Sequence, residues 1–300
     1  MIVAVGIPVY NDEVFLERSV QNCLDVGYDY VVYLDDGSMD NTYSKLMDLT
    51  KGHSEFKVIK KEQNSVFSND GNRWEIVSKE CQKINPDWIM VRAADECLSY
   101  AAFKEGPNLF RKNIEFLDQK KINMITFSYV DLWRSEWWYR VDGFWGSQRT
   151  SINAWKNNTG WIFESGAGLH RGRHRPYKMN VKDFQANINV ESSDMIRVLH
   201  YGMSSHDFIA KKLDYQISTA LSVKGRSYGV PLKMPHPSVW HDFNGYKVAY
   251  EKNIVLKKVE QSWFKNPVPD VPKPVVKSLY NVVVKYDKSM AEEYAKIYGR

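Results

Sequence analysis

The chain has 300 residues, enough for one large domain or two modest ones, and 43% of them are hydrophobic, which supplies a core and excludes disorder as the main state. Its 41 Lys and Arg exceed its 36 Asp and Glu by only five, too thin an excess for a nucleic-acid coat, so any basic function is local. The longest apolar run, residues 2–9, falls far short of the ~20 residues a bilayer span needs, and it lacks a basic n-region and a small-residue cleavage site, so the chain is expected in the cytoplasm with no transmembrane span.

The first hundred residues alternate strand and helix signals, which predicts parallel strands joined by crossover helices. Ile2 to Val9 reads as a buried strand, and Asn11 or Asp12 is expected to cap a helix carrying Leu16, Val20 and Leu24 until Gly27 stops it. Tyr30 to Leu34 is the second strand; Asp35-Asp36-Gly37-Ser38 follows, and Asp40 or Thr42 opens a helix through Leu46 and Leu49. Phe56 to Ile59 is the third strand. A helix through Trp74, Ile76, Val77 and Cys81 is broken by Pro86, and Asp87 to Val91 is the fourth strand, giving βαβαβαβ. Further strands are expected at Asn123 to Tyr129 and Ile196 to Leu199, with an amphipathic helix at Ser204 to Leu221. Residues 267–274, rich in proline, are expected to run extended, and Met290 to Tyr298 forms a terminal helix.

Cys23, Cys81 and Cys97, odd in number and far apart, match neither a disulfide framework nor a Cys-x-x-Cys metal site and read as reduced core thiols. Aromatic residues make up 14% of the chain, and six of the ten tryptophans fall between Trp133 and Trp161. Such rings serve as core or as platforms for a flat ligand or a sugar face.

In open α/β sheets ligands sit beyond the carboxyl ends of the strands. Here those ends are polar: Tyr10-Asn11-Asp12, Asp35-Asp36 and Asp95-Glu96. Asp35 and Asp36 suit a base or ribose, or a simple turn cap. Asp95 and Glu96 offer hard oxygens for Mg2+ or Mn2+, or are solvated loop acids. The basic loop from His170 to Lys178 either clamps phosphate through its arginines or is merely solvated.

The stretches Val5-Gly6-Ile7-Pro8-Val9-Tyr10-Asn11-Asp12-Glu13 and Leu34-Asp35-Asp36-Gly37-Ser38-Met39-Asp40-Asn41-Thr42 resemble the opening of family 2 glycosyltransferases. Asp87-Trp88-Ile89-Met90-Val91-Arg92-Ala93-Ala94-Asp95-Glu96 is similar to the strand that delivers their Asp-x-Asp metal motif, and later segments such as His200-Tyr201-Gly202 are similar to those of a subset of the group. The resemblance implies an α/β GT-A-like, Rossmann-type mixed sheet flanked by helices over residues 1–235, with a C-terminal helical extension over 236–300. It implies a metal-dependent glycosyltransferase that uses Mn2+ or Mg2+ to move a sugar from a nucleotide-sugar donor, UDP- or GDP-linked, to a glycan or other hydroxyl acceptor. Carried over by position, Pro8, Tyr10, Asp36 and Arg73 would bind the nucleotide, and Asp95 and His200 the metal. For Arg73 the residues alone also allow a surface pair with Glu75 or Glu80.

Where the family reads Asp-x-Asp, this chain reads Ala93-Ala94-Asp95, so the first acid is missing. Either Glu96 or water replaces it, or activity is impaired. An inverting transfer needs a carboxylate to take the acceptor proton; Glu164 is placed first and Asp142 second, with Asp131 also available, while retention needs no such base. Two rivals are kept: a catalytically impaired carbohydrate-binding protein on the same fold, and a sugar nucleotidyltransferase. The latter is disfavoured because no Gly-rich phosphate loop with Lys or Arg follows the first strand.

Overall fold

Residues Val3–Val9 form strand β1, buried along its whole length, as a strand covered on both faces must be. The computed structural model describes residues 1–61, 70–142, 150–157, 161–162, 177–178, 190–205, 207, 210 and 255–275. Beyond β1 the chain departs from the expected cap at Asn11 or Asp12. Asn11 turns with φ of 53°, and the N–H groups of Asn11, Asp12 and Glu13 donate to Ser38 Oγ, Thr42 Oγ1 and Asp40 Oδ2 of the next loop. In return, Asn11 Oδ1 and Glu13 Oε2 accept from the N–H groups of Met39 and Asn41. The polar residues of the first loop are spent on lacing it to the second, so helix α1 begins only at Leu16 (Leu16–Val26). It ends at Gly27, whose φ of 74° is the left-handed conformation that glycine adopts without strain.

Strand β2 (Tyr30–Asp35), α2 (Thr42–Leu49), β3 (Phe56–Lys60), α3 (Asp70–Gln82) and β4 (Trp88–Val91) complete the alternating half, within a residue or two of the expected bounds except for the start of α3. They are followed by β5 (Glu96–Leu98), a 3-10 turn at Tyr100–Ala102, α4 (Leu109–Gln119), β6 (Met124–Asp131), β7 (Trp138–Arg140) and β8 (Thr150–Lys156). Then come β9 (Trp161–Ile162), β10 (Tyr177–Lys178), the long β11 (Val190–His200) and β12 (Leu256–Lys258).

The chain divides into two compact units. The first comprises Met1–Val130, Gln148–His200 and Glu260–Pro267. Its eight-stranded sheet runs β3-β2-β1-β4-β8-β6-β11-β5. Strands β3, β2, β1 and β4 are parallel, whereas β8 joins β4 and β6 antiparallel and β11 joins β5 antiparallel. This is the mixed Rossmann-type sheet, GT-A-like, that the sequence leads one to expect. Helix α3 packs Trp74, Val77 and Cys81 onto Ala4, Val32, Leu34 and Ile89. Gly6 is required beneath it: a Cβ there would lie 2.7 Å from Val77 Cβ. All three cysteines are buried and free, and Trp155 on β8 is core, with 1% of its surface exposed.

The second unit comprises Asp131–Ser147, Tyr201–Val259 and Val268–Arg300. Its described part centres on the antiparallel pair β7 and β12. Trp133 is fully buried under the Arg140 guanidinium, 5.1 Å from the ring centre. Trp138 Nε1 donates to Val271 O at 3.3 Å, which ties down part of the proline-rich stretch, a segment with neither helix nor strand. Most of the expected helix at Ser204 to Leu221, the terminal helix at Met290 to Tyr298, and all of the basic loop before Tyr177 lie outside the described residues.

Candidate functional site

The parallel strands β1, β2 and β3 bring their carboxyl ends into line, because Val9 pairs with Asp35 and Asp35 with Lys60. Tyr10, Asp36 and Lys61 therefore emerge side by side. Asp36 is buried, with 1% of its side chain exposed, and meets two cations: Arg73 Nε donates to Oδ2 at 2.6 Å and Lys61 Nζ to Oδ1 at 3.2 Å. The Arg73 guanidinium also lies over the Tyr10 ring, 5.3 Å from its centre. Three of the four residues expected at the nucleotide are thus brought together, and Pro8 lies buried on β1 opposite Leu34. The surface pairing of Arg73 with Glu75 or Glu80 is not the arrangement found for those acids: Glu75 takes Lys79, and Glu80 takes Lys57 and Lys83.

Asp35 turns the other way and is wholly buried. Its Oδ1 accepts from the Ser38 N–H at 3.2 Å and its Oδ2 has no hydrogen-bond partner among the described residues. Burial pushes its carboxyl above the ordinary value, against the opposing pull of Ser38 and Lys60.

The second cluster lies where β4 ends. Antiparallel pairing of β11 with β5 sets His200 opposite Glu96. His200 Nε2 lies 3.3 Å from Asp95 Oδ2, and one donor atom from each of Asp95, Glu96 and His200 falls within 4.8 Å of the others. Asp95 is 8% exposed and Glu96 3%. Glu96 Oε2 also accepts from the Ala93 N–H at 2.8 Å, and Tyr129 meets the His200 ring edge-on at 6.3 Å between centres. Two carboxylates and an imidazole are a donor set that can hold a divalent cation of the Mn2+ or Mg2+ kind. The expected pair Asp95 and His200 thus gains Glu96, which stands next in sequence to Asp95 and is, with water, one of the alternatives for the missing acid.

The residues considered for proton transfer are separate matters. In the second unit Asp142 spends both oxygens on Arg140, at 2.9 and 2.7 Å, and accepts the Val255 N–H at 3.0 Å. Partial burial raises its carboxyl, but the Arg140 guanidinium outweighs that and holds it below the usual range. Asp131 is buried at 2% exposure. Glu164 lies outside the described residues, as do Trp145 and the side chain of Trp161. Trp133 and Trp155 are core and offer no sugar platform, whereas Trp137 and Trp138 are half-buried. Sequence reading missed Lys61; the signal was its place one residue past the third parallel strand. Among the described residues no helix is long and apolar enough to cross a membrane.

A family model described as Glycosyl transferase family 2 matches residues 4–73, the segment that holds both laced loops, Tyr10, Asp36 and Arg73. No curated protein matches the chain. Solved structures that it resembles include a mannosyltransferase from Pyrobaculum calidifontis in complex with GDP-Man and Mn2+, at 12% identity over 82% of this chain and 70% of that one, with a TM-score of 0.43. Another is glucosyl-3-phosphoglycerate synthase from Mycobacterium tuberculosis with Mn2+, UDP and glucosyl-3-phosphoglycerate, at 17% identity over 43% of this chain, with a TM-score of 0.31. The likeness spans 44% of the synthase's length.

Proposed function

We propose that this chain, whose residues 4–73 match the model of glycosyl transferase family 2, transfers a sugar from a UDP- or GDP-linked donor to a hydroxyl of a glycan or other acceptor, with Mn2+ or Mg2+ as cofactor. One observation carries the reading: Asp95, Glu96 and His200 converge within 4.8 Å where β4 ends, in the same unit as the Asp36–Arg73 pair.

Each group has a task that its chemistry suits. Tyr10 offers a ring face to a base, Asp36 accepts from base or ribose while Arg73 and Lys61 fix its direction, and Pro8 forms a rigid wall. Asp95 and Glu96 supply negative charge, and His200 a nitrogen donor, to the ion. When bound, such an ion neutralises charge on the departing nucleoside diphosphate. For the acceptor proton we keep Glu164 first and Asp142 second; the Arg140 pair keeps Asp142 ionised but lowers its basicity.

The test is transfer or donor hydrolysis with a panel of UDP- and GDP-sugars, with and without Mn2+. Turnover is expected with Mn2+ for at least one donor, and Asp95→Asn or His200→Ala should lower it by at least about tenfold. Silence across the panel, together with no nucleotide binding by calorimetry, overturns the reading. Pyrophosphate release from a nucleoside triphosphate and a sugar phosphate would replace it by a nucleotidyltransferase.

A further inference from the structure

Arg92 directly follows β4, one step ahead of the loop that carries Asp95 and Glu96. Val91 and Ala93 on either side of it belong to the core against α3. Alternation therefore turns Arg92 to the α1 face, where it is fully buried. Its Nη2 donates to Ser19 O at 3.0 Å and to Cys23 Sγ at 2.9 Å. Its Nη1 donates to Ser19 Oγ and Ala93 O, both at 3.2 Å, and to the carbonyl of Glu96. None of these acceptors is a carboxylate, and Nε has no partner among the described residues.

A buried cation with no anionic partner among the described residues, and with one N–H unsatisfied there, is costly, and an aliphatic side chain would fill the same space at less expense. What the guanidinium adds is a planar fork of fixed geometry. One prong grips helix α1 alone. The other reaches Ser19 Oγ as well and grips the carbonyls of residues 93 and 96, which bracket Asp95. Two further hydrogen bonds across this loop run between Ala93 and Glu96: Glu96 N–H to Ala93 O at 3.2 Å, and Ala93 N–H to Glu96 Oε2. The second of these uses an oxygen of the Glu96 carboxylate itself. Besides the β5–β11 pairing, Arg92 gives this loop a hold that uses no oxygen of a ligand carboxylate.

We propose that Arg92 is the positioning residue of the divalent-cation site: anchored on Ser19 and Cys23, it holds the loop that presents Asp95 and Glu96 in ligating geometry. This inference rests on reading that cluster as a metal site. Arg92 acts on the ligand-bearing loop through the Ala93 and Glu96 carbonyls.

The test compares the full-length wild type with Arg92→Met and Arg92→Lys, reading Mn2+ affinity by electron paramagnetic resonance and metal-free stability by thermal melting. Arg92→Met should weaken Mn2+ binding at least tenfold. Arg92→Lys, which keeps the charge but not the fork, should fall between it and the wild type. In turnover assays the Mn2+ concentration needed for half activation should rise in both variants, while the rate at saturating Mn2+ recovers, a split that a loss of folded protein would not produce. Wild-type Mn2+ affinity in Arg92→Met overturns the proposal. Should that variant fail to fold, equal affinity in Arg92→Lys overturns it instead. A wild type that binds Mn2+ no better than Asp95→Asn overturns the metal reading itself and the proposal with it.

Discussion

Arg73 and Asp36 form an ion pair of 2.6 Å between a helix and a strand end, and the same guanidinium lies over the ring of Tyr10. The carboxylate is buried while its two cations keep some contact with solvent, at 19% exposure for Arg73 and 30% for Lys61. Removing the acid therefore takes from both cations the buried carboxylate that each pairs with. Asp36→Asn is expected to cost about 2–3 kcal/mol of stability, below the range for wholly buried pairs because both cations reach water. It should also weaken UDP or GDP binding at least about tenfold, equivalent to 1.4 kcal/mol. Urea unfolding and calorimetry check the two parts separately. Arg73→Lys keeps the charge but loses the planar face over Tyr10, so its effect on nucleotide affinity should be smaller and its effect on stability slight.

The neighbouring Asp35 behaves in the opposite sense. Its folded-state carboxyl titrates above the ordinary value of 3.8, chiefly because it is buried. The folded chain then binds the proton more tightly than the unfolded chain does. Its contribution favours folding below the unfolded pKa and becomes a cost as pH rises through the folded value. Asp35→Asn retains the acceptor for the Ser38 N–H and replaces an oxygen with no partner among the described residues by a neutral amide. The variant should be more stable than the wild type at neutral pH and show no such gain in acid well below the ordinary carboxylate range. Melting curves across this window decide it, and a uniform loss at every pH would show that the amide nitrogen is the poorer buried group.

A Cβ on Gly6 would sit 2.7 Å from Val77 Cβ and 2.8 Å from its Cγ2, and only the second of these atoms is removable by truncation to alanine. Gly6→Ala should destabilise by about 1–3 kcal/mol through overpacking of α3 on β1. The double variant with Val77→Ala should recover part of that loss. Denaturant unfolding of the four proteins gives the coupling, and strict additivity would mean that α3 shifts away as a body.

The alternating half of the fold was legible because its signals are local: an apolar run, a glycine stop at Gly27, a proline break at Pro86. The cap at Asn11 or Asp12 was misread because the partners of those residues, Ser38, Asp40 and Thr42, lie in another loop, and no window along the chain contains both. Strands β5, β7 and β8 carry mixed or short patterns and are defined by their partners rather than by periodicity. Of the candidate site, Asp36 and Asp95 announced themselves by following apolar strands. The pairing of Arg73 with Asp36 and the register of His200 against Glu96 are tertiary facts that residue spacing does not carry.

Ala93 stands where the family 2 glycosyltransferases that the sequence resembles carry the first acid of their metal motif. Its side chain packs against the α3-side core cluster and its N–H is engaged by Glu96. A carboxylate placed there is partly withdrawn from water and added to two others, so Ala93→Asp should lower metal-free stability by about 1–3 kcal/mol. An ion that binds the folded state but not the unfolded one restores stability in proportion to RT ln(1 + [L]/Kd), and a third carboxylate raises affinity, so Mn2+ should lift the melting temperature of Ala93→Asp by more than that of the wild type. Melting with and without Mn2+ measures both effects in one experiment. If Mn2+ raises both proteins equally, an acid at position 93 does not reach the ion, and Asp95, Glu96 and His200 form a complete set without it. A larger rise, accompanied by a gain in metal-dependent turnover, identifies the natural chain as a weakened but competent form of the same site.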